Sequence, residues 1–251
     1  MTDIEKRNSD GVAKPTTVKV SVIFIQDRSG SMQSVWEETL SGFKAFVNRL
    51  QQEGPRDGIE YTFSLTAFDT LLDHPYREHQ ILEVNAQQLE NFPPRGSTAL
   101  YDAVGETISK VNSKADKFMA VIVTDGHENS SREWTKDKVR KLIEDKLALG
   151  NWAFLYLGTQ PETWDDAEAM GVGRSSSASY TRTRAREAYR TSADAVHSHS
   201  RAARTGSRDF VADYMKSDDL HNSGMTADPE SGVPEPKAME NKEPKGQMGA
   251  Q

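Results

Sequence analysis

Three uninterrupted apolar runs constrain the fold of this chain more than any other feature: VKVSVIFIQ (18–26), FMAVIVTD (118–125) and WAFLYLG (152–158). A strand with one wet face alternates apolar and polar residues. An unbroken run needs cover on both faces, the condition of a parallel sheet sandwiched between helices. The segments between the runs supply such helices: Trp36, Leu40, Phe43, Val47 and Leu50 recur at steps of three and four, as do Leu100, Val104, Ile108 and Val111. Each set makes one apolar stripe to lay against a sheet.

The stretch YTFSLTAFDTLLDHPYRE (61–78) differs, because its two extended halves meet at Asp69-Thr70 with too few residues between them for a crossover helix. It reads as an antiparallel hairpin at a sheet edge. The predicted class is therefore α/β: a doubly wound, mostly parallel sheet with one antiparallel edge strand and helices on both faces. A helix over 163–170 and a short edge strand near 175–180 complete a folded domain spanning 18–180. Residues 181–215 read as an Arg- and Ala-rich helical extension, in which Ala185, Tyr189, Ala193, Val196, Ser200 and Ala203 form a stripe that docks back on the domain. A second short helical patch surrounds Phe210, Tyr214 and Met215.

Composition bears on the two ends and on the range of functions. Only 35% of the 251 residues are hydrophobic and 27% are charged, too polar for a chain packed along its whole length. The polar leader 1–17 and the Pro-, Glu-, Lys- and Gly-rich tail 216–251 are the stretches expected to be disordered. The net charge of −7 argues against a general polyanion binder. With no cysteine, disulfide frameworks and thiolate metal sites are excluded. The leader lacks the apolar core of a signal peptide and no segment reaches the ~20 apolar residues of a membrane span, so a cytoplasmic protein is expected.

The chemistry gathers where strands end. In an open α/β sheet, ligands sit beyond the carboxyl ends of the strands at the switch in strand order. The first run ends in DRSGS, bringing Asp27, Ser29 and Ser31; the run at 118–125 ends in Asp125; and PPRGSTALYDAVG places Ser97 and Thr98 just before a helix. Asp27, Ser29, Ser31, Thr98 and Asp125 thus form a candidate metal site of hard oxygen donors. Without histidine or cysteine, that set suits Mg²⁺, with Mn²⁺ as an alternative, over zinc or copper. Gly30 is expected to let the backbone turn so that both serines face one point. Arg28, Met32, Gln33, Arg95, Ser97, His127, Glu128 and Asn129 lie on the surrounding loops as partner-facing candidates; Asp102, one helical turn past Thr98, reads equally as an acid that orients ligands and as an ordinary helix residue, and Asp69 as an ordinary turn acid.

The motif Asp-x-Ser-x-Ser followed by a distant Thr and a distant Asp resembles the metal-ion-dependent adhesion site of the von Willebrand factor A domain family. The resemblance covers roughly 18–170 and is strongest to small stand-alone bacterial and bacteriophage members around DRSGSM, RGSTALYDAVG and TDGHENSSR. It implies that Ser29, Ser31 and Thr98 ligate the ion directly or nearly so, with Asp27 and Asp125 often acting through water. It also implies a non-enzymatic module that captures a Glu or Asp carboxylate of a protein partner on the incompletely neutralised ion. If the chain is phage-encoded, a place in the virion follows.

Two other readings compete. Phosphatases with an Asp at the end of the first strand need a second Asp two residues on as acid and base, and Ser29 stands there instead. A metal-dependent phosphoester hydrolase is thus the weaker alternative, and a P-loop is weaker still, for want of its lysine. The arginines at 174, 182, 184, 186, 190, 201, 204 and 208 face only Glu187 and Asp194, a local basic excess that would serve nucleic-acid association. A solvated helix face explains it more simply, and a solvated surface is likewise expected for His197 and His199.

Overall fold

The computed structural model describes residues 17–159, 164–173, 176–205 and 225–227. β1 (Val18–Asp27) is the axis of the molecule, with its last eight residues buried. Val20, Val22 and Phe24 point to one face of the sheet and Ile23 and Ile25 to the other, each set entering a separate hydrophobic core. This two-sided burial is what the unbroken apolar run encodes. β2 (Ile59–Phe68) and β4 (Lys117–Thr124) flank β1 in parallel, β5 (Trp152–Gly158) adds to β4, and β6 (Ser177–Tyr180) adds to β5. β3 (Leu72–Gln80) pairs antiparallel with β2, closing the predicted hairpin.

The order is β3-β2-β1-β4-β5-β6-β7. β7 (Met225–Ala227) lies antiparallel against β6. The second edge is therefore antiparallel as well, and three residues from the stretch expected to be disordered pair with the sheet. The patch at 210–215 and most of 1–17 and 216–251 lie outside the described residues.

α1 (Trp36–Arg56) and α5 (Ala185–Thr205) cover the first core. There Phe24 meets Phe43 and Phe46 edge-on, at centroid separations of 5.4 and 4.8 Å. α2 (Leu100–Ser109), α3 (Lys136–Ala148) and α4 (Trp164–Ala169) lie over the second face. α5 closes tightly on α1: a Cβ at Gly42 would stand 2.7 Å from the Tyr189 ring, so only glycine admits that ring.

The expectation of solvated histidines on α5 fails. His197 is buried, with Nδ1 3.0 Å from the Tyr61 hydroxyl and Nε2 2.9 Å from Asp57 Oδ2. Burial pushes His199 down to about 4. Arginines of the basic stretch engage acids on the same helix or on α1's end, Arg190 with Glu187 and Asp194, and Arg201 with Asp57 at 3.2 Å.

Candidate metal centre at the strand ends

β1 leads to β2 on one side while β4 leads to β5 on the other, so the chain's path reverses between β1 and β4. Their carboxyl ends open a crevice there. Asp27 closes β1, Thr124 closes β4, and Asp125 follows at once.

Asp27 is wholly buried. Its Oδ1 accepts from the Ser29 amide at 2.6 Å and its Oδ2 from the Thr124 hydroxyl, also at 2.6 Å. The hydroxyls of Ser29 and Ser31 lie 3.0 Å apart, and Ser31 donates to Asp125 Oδ1 at 2.6 Å. Thr98 joins them: a Cβ at Gly126 would meet Thr98 Oγ1 at 3.2 Å and Ser31 Oγ at 3.4 Å. The chain thus brings the five predicted oxygen-bearing side chains to one point. Gly30 contributes by a different route from the one expected, since its φ is not positive. Its amide donates to the Gly96 carbonyl at 3.0 Å, and an added Cβ would press to 3.3 Å from that oxygen.

The loop carrying Thr98 is pinned from both sides. The Thr98 amide donates to Asn129 Oδ1 at 2.9 Å, its carbonyl accepts from the Asn129 amide at 3.0 Å, and the Ala99 amide donates to the Asp69 carbonyl at 3.0 Å. Glu128 and Asp102 turn inward on this frame instead of facing a partner or the donors. Glu128 accepts from the amides of Tyr101, Ser130 and Ser131. Asp102 accepts from those of Arg132, Glu133 and Trp134. Each satisfies backbone amides of the helix start or the tight loop, and the Ser130 amide also donates to the Thr98 carbonyl at 3.2 Å.

Two predicted rim residues are corrected outright. Arg28 is only 2% exposed: its guanidinium pairs with Asp73 and, at 3.2 Å, with Asp69, and lies over the Phe92 ring. Two carboxylates make that burial tolerable. Met32 is fully buried, turned into the first core by the 3-10 turn Gly30–Val35. Gln33, Arg95, Ser97, His127 and Asn129 are exposed. Asp69, read as a turn acid, does accept from the Leu71 amide at 2.7 Å, yet it also holds Arg95 at 2.8 Å.

Thr124 and Asp166 escaped the sequence reading. A hydroxyl closing an otherwise apolar strand was the available signal for Thr124. Asp166 bonds His127 Nδ1 at 2.7 Å and is joined to it only by the fold.

Burial pushes the Asp27 carboxyl up to about 6, despite the Thr124 and Ser29 hydrogen bonds that favour its charge. Burial raises Asp125 as well. Two acids held short of water in one crevice are an environment that a cation relieves. Among the described residues no three His, Cys, Asp or Glu side chains form a cluster able to hold a metal, so any ion here relies on the hydroxyls. The donor spacing fits a small hard ion: at the 2.0–2.1 Å bonds of Mg²⁺, neighbouring oxygens of an octahedron stand about 2.9 Å apart, close to the 3.0 Å between Ser29 and Ser31.

Solved structures share this architecture. A von Willebrand factor type A protein from Catenulispora acidiphila superposes with a TM-score of 0.51 at 17% identity, over 70% of this chain and 42% of that one. The chain has a von Willebrand factor A-like fold. The A-domain fold is shared by proximal thread matrix protein 1 from the mussel byssus with a zinc-occupied MIDAS motif, at a TM-score of 0.53 and 15% identity, over 72% of this chain and 49% of that one. It is shared too by the PilB minor pilin of Streptococcus sanguinis, at 0.51 and 12%, over 78% and 64%. The matched region spans less than half the length of the first two proteins. No family sequence model matches the chain, and no curated protein matches it in sequence.

Proposed function

We propose that the A-like domain is a non-enzymatic, Mg²⁺-dependent protein-binding module. Ser29, Ser31 and Thr98 would hold the ion through their hydroxyls, with Asp27 and Asp125 supplying negative charge beside it; Mn²⁺ fits the same donors. Bound there, the ion supplies an electropositive position that a partner's Glu or Asp carboxylate completes. The observation that carries this reading is the convergence of three neutral hydroxyls with only two acids at the open end of the sheet. Such a set leaves a divalent ion short of negative charge.

Asp27 is poorly placed as a nucleophile, because both its oxygens accept hydrogen bonds and none of it reaches solvent. This supports binding over phosphoester chemistry. One metal–carboxylate contact cannot offset the roughly 4–15 kcal/mol of freedom lost on association. The partner must therefore cover on the order of 1,000 Å² around the ion. The exposed Gln33, Ser97, His127 and Asn129 belong to that surface. Among the described residues no helix is long and apolar enough to cross a membrane.

Calorimetric titration of Mg²⁺ tests the reading. Wild type should bind one ion, while Ser31→Ala and Thr98→Ala should each weaken it at least tenfold without loss of fold by circular dichroism. Partner capture from a lysate should need Mg²⁺ and fail with chelator. Equal affinity in all three proteins would refute the assignment.

A further inference from the structure

Arg95 is held at the edge of the candidate metal centre in a way that chain connectivity alone does not require. Its amide donates to the carbonyl of Arg28, the residue between Asp27 and Ser29, at 2.8 Å. The next residue, Gly96, accepts from the amide of Gly30, which lies between Ser29 and Ser31. Thr98 follows Arg95 by three residues, so the two Cα atoms are at most about 11 Å apart.

The side chain is aimed as well as placed. Nε donates to Asp69 Oδ2 at 2.8 Å, and Asp69 is itself 2% exposed and fixed by the Leu71 amide and by Arg28. That bond turns the Nε edge of the guanidinium toward Asp69. Its two terminal amino groups make no hydrogen bond among the described residues, and the side chain is 57% exposed. A guanidinium anchored at Nε and open at its other edge presents two parallel N–H donors, the geometry that receives a carboxylate in bidentate fashion.

We propose that Arg95 is a second anion receptor beside the metal centre, so that the partner segment presents two carboxylates, one for the ion and one for the guanidinium. The inference rests on the metal-dependent reading above and narrows its partner to an acidic stretch of protein. In an extended segment, residues two apart share a face with about 7 Å between them, within the bound of about 11 Å that the chain sets between the Cα atoms of Arg95 and Thr98. Arg95 takes no part in holding the ion. Its substitution therefore separates the two ideas.

The test uses the full chain loaded with Mn²⁺ and reads water-proton relaxivity, which falls when a ligand displaces water from the bound ion. The probes are blocked Gly/Ser hexapeptides carrying either one Glu or two Glu residues two positions apart, titrated into the millimolar range because a lone metal–carboxylate contact binds only weakly. In wild type the second Glu should tighten binding about tenfold. In Arg95→Gln that gain should vanish while the one-Glu peptide and Mn²⁺ itself bind within twofold of wild type, and Arg95→Lys should restore part of it. A gain of equal size in Arg95→Gln, or none in wild type, overturns the second receptor and leaves the metal reading standing. Failure of wild type to bind Mn²⁺ overturns both.

Discussion

At the scale of single residues, Asp27 sets the tension of the site. Its carboxyl rises from an ordinary 3.8 to about 6 because burial opposes charge more strongly than its two hydrogen bonds favour it. An acid whose folded-state pKa is raised binds its proton more tightly when folded. The cation-free protein therefore loses stability as pH climbs from about 4 to about 6, by on the order of 3 kcal/mol. A divalent ion offsets that loss only where the carboxylate is ionised. Mg²⁺ or Mn²⁺ should accordingly raise the melting temperature at pH 7.5 and leave it nearly unchanged at pH 5, by differential scanning fluorimetry; equal shifts at both values would contradict this. The convergence of Asp27, Ser29, Ser31, Thr98 and Asp125 could be read from the sequence because each lies at or just past a strand end or just before a helix. Arg28 and Met32 could not, since adjacency to a motif does not say which way a side chain turns. Arg28 found Asp69 and Asp73 through a hairpin 45 residues away, and only the register of β1 with β2 brings them together.

At the scale of elements, the strands were legible and the partners of α5 were not. Apolar runs announce burial on two faces, whereas the stripe on α5 is half alanine and names no counterpart. Its counterpart is α1, through Gly42 and the Tyr189 ring, and the Tyr189 hydroxyl then donates to Gln26 Oε1 at 2.9 Å. Gln26 in turn donates to the Asp27 carbonyl at 2.8 Å, so the seating of α5 reaches the end of β1. Gly42→Ala should force that ring outward. Overpacking of this kind costs about 1–3 kcal/mol, against a gain of at most ~1 kcal/mol in helix propensity. Urea denaturation should show net destabilisation, and an unchanged or raised midpoint would contradict the packing described. His197 and His199 were misjudged for the same reason: a polar residue on a helix reads as solvated until the surface beneath it is known.

At the scale of the whole molecule, one sheet with a reversal between β1 and β4 brings the carboxyl ends of β1, β2 and β4 to one end. The sequence disclosed this because doubly wound sheets obey a few connection rules. It hid β7, whose three residues carry no apolar run and pair with β6. The molecule's central property, on this account, is a rigid sheet end that cages a hard cation with alcohols. The most direct measurement is an anomalous difference map from crystals grown with Mn²⁺. The account predicts a peak among Ser29, Ser31 and Thr98, with hydroxyl oxygens at about 2.0–2.6 Å, the range of hard divalent ions. A map with no peak there, or with manganese bound only elsewhere, would contradict it.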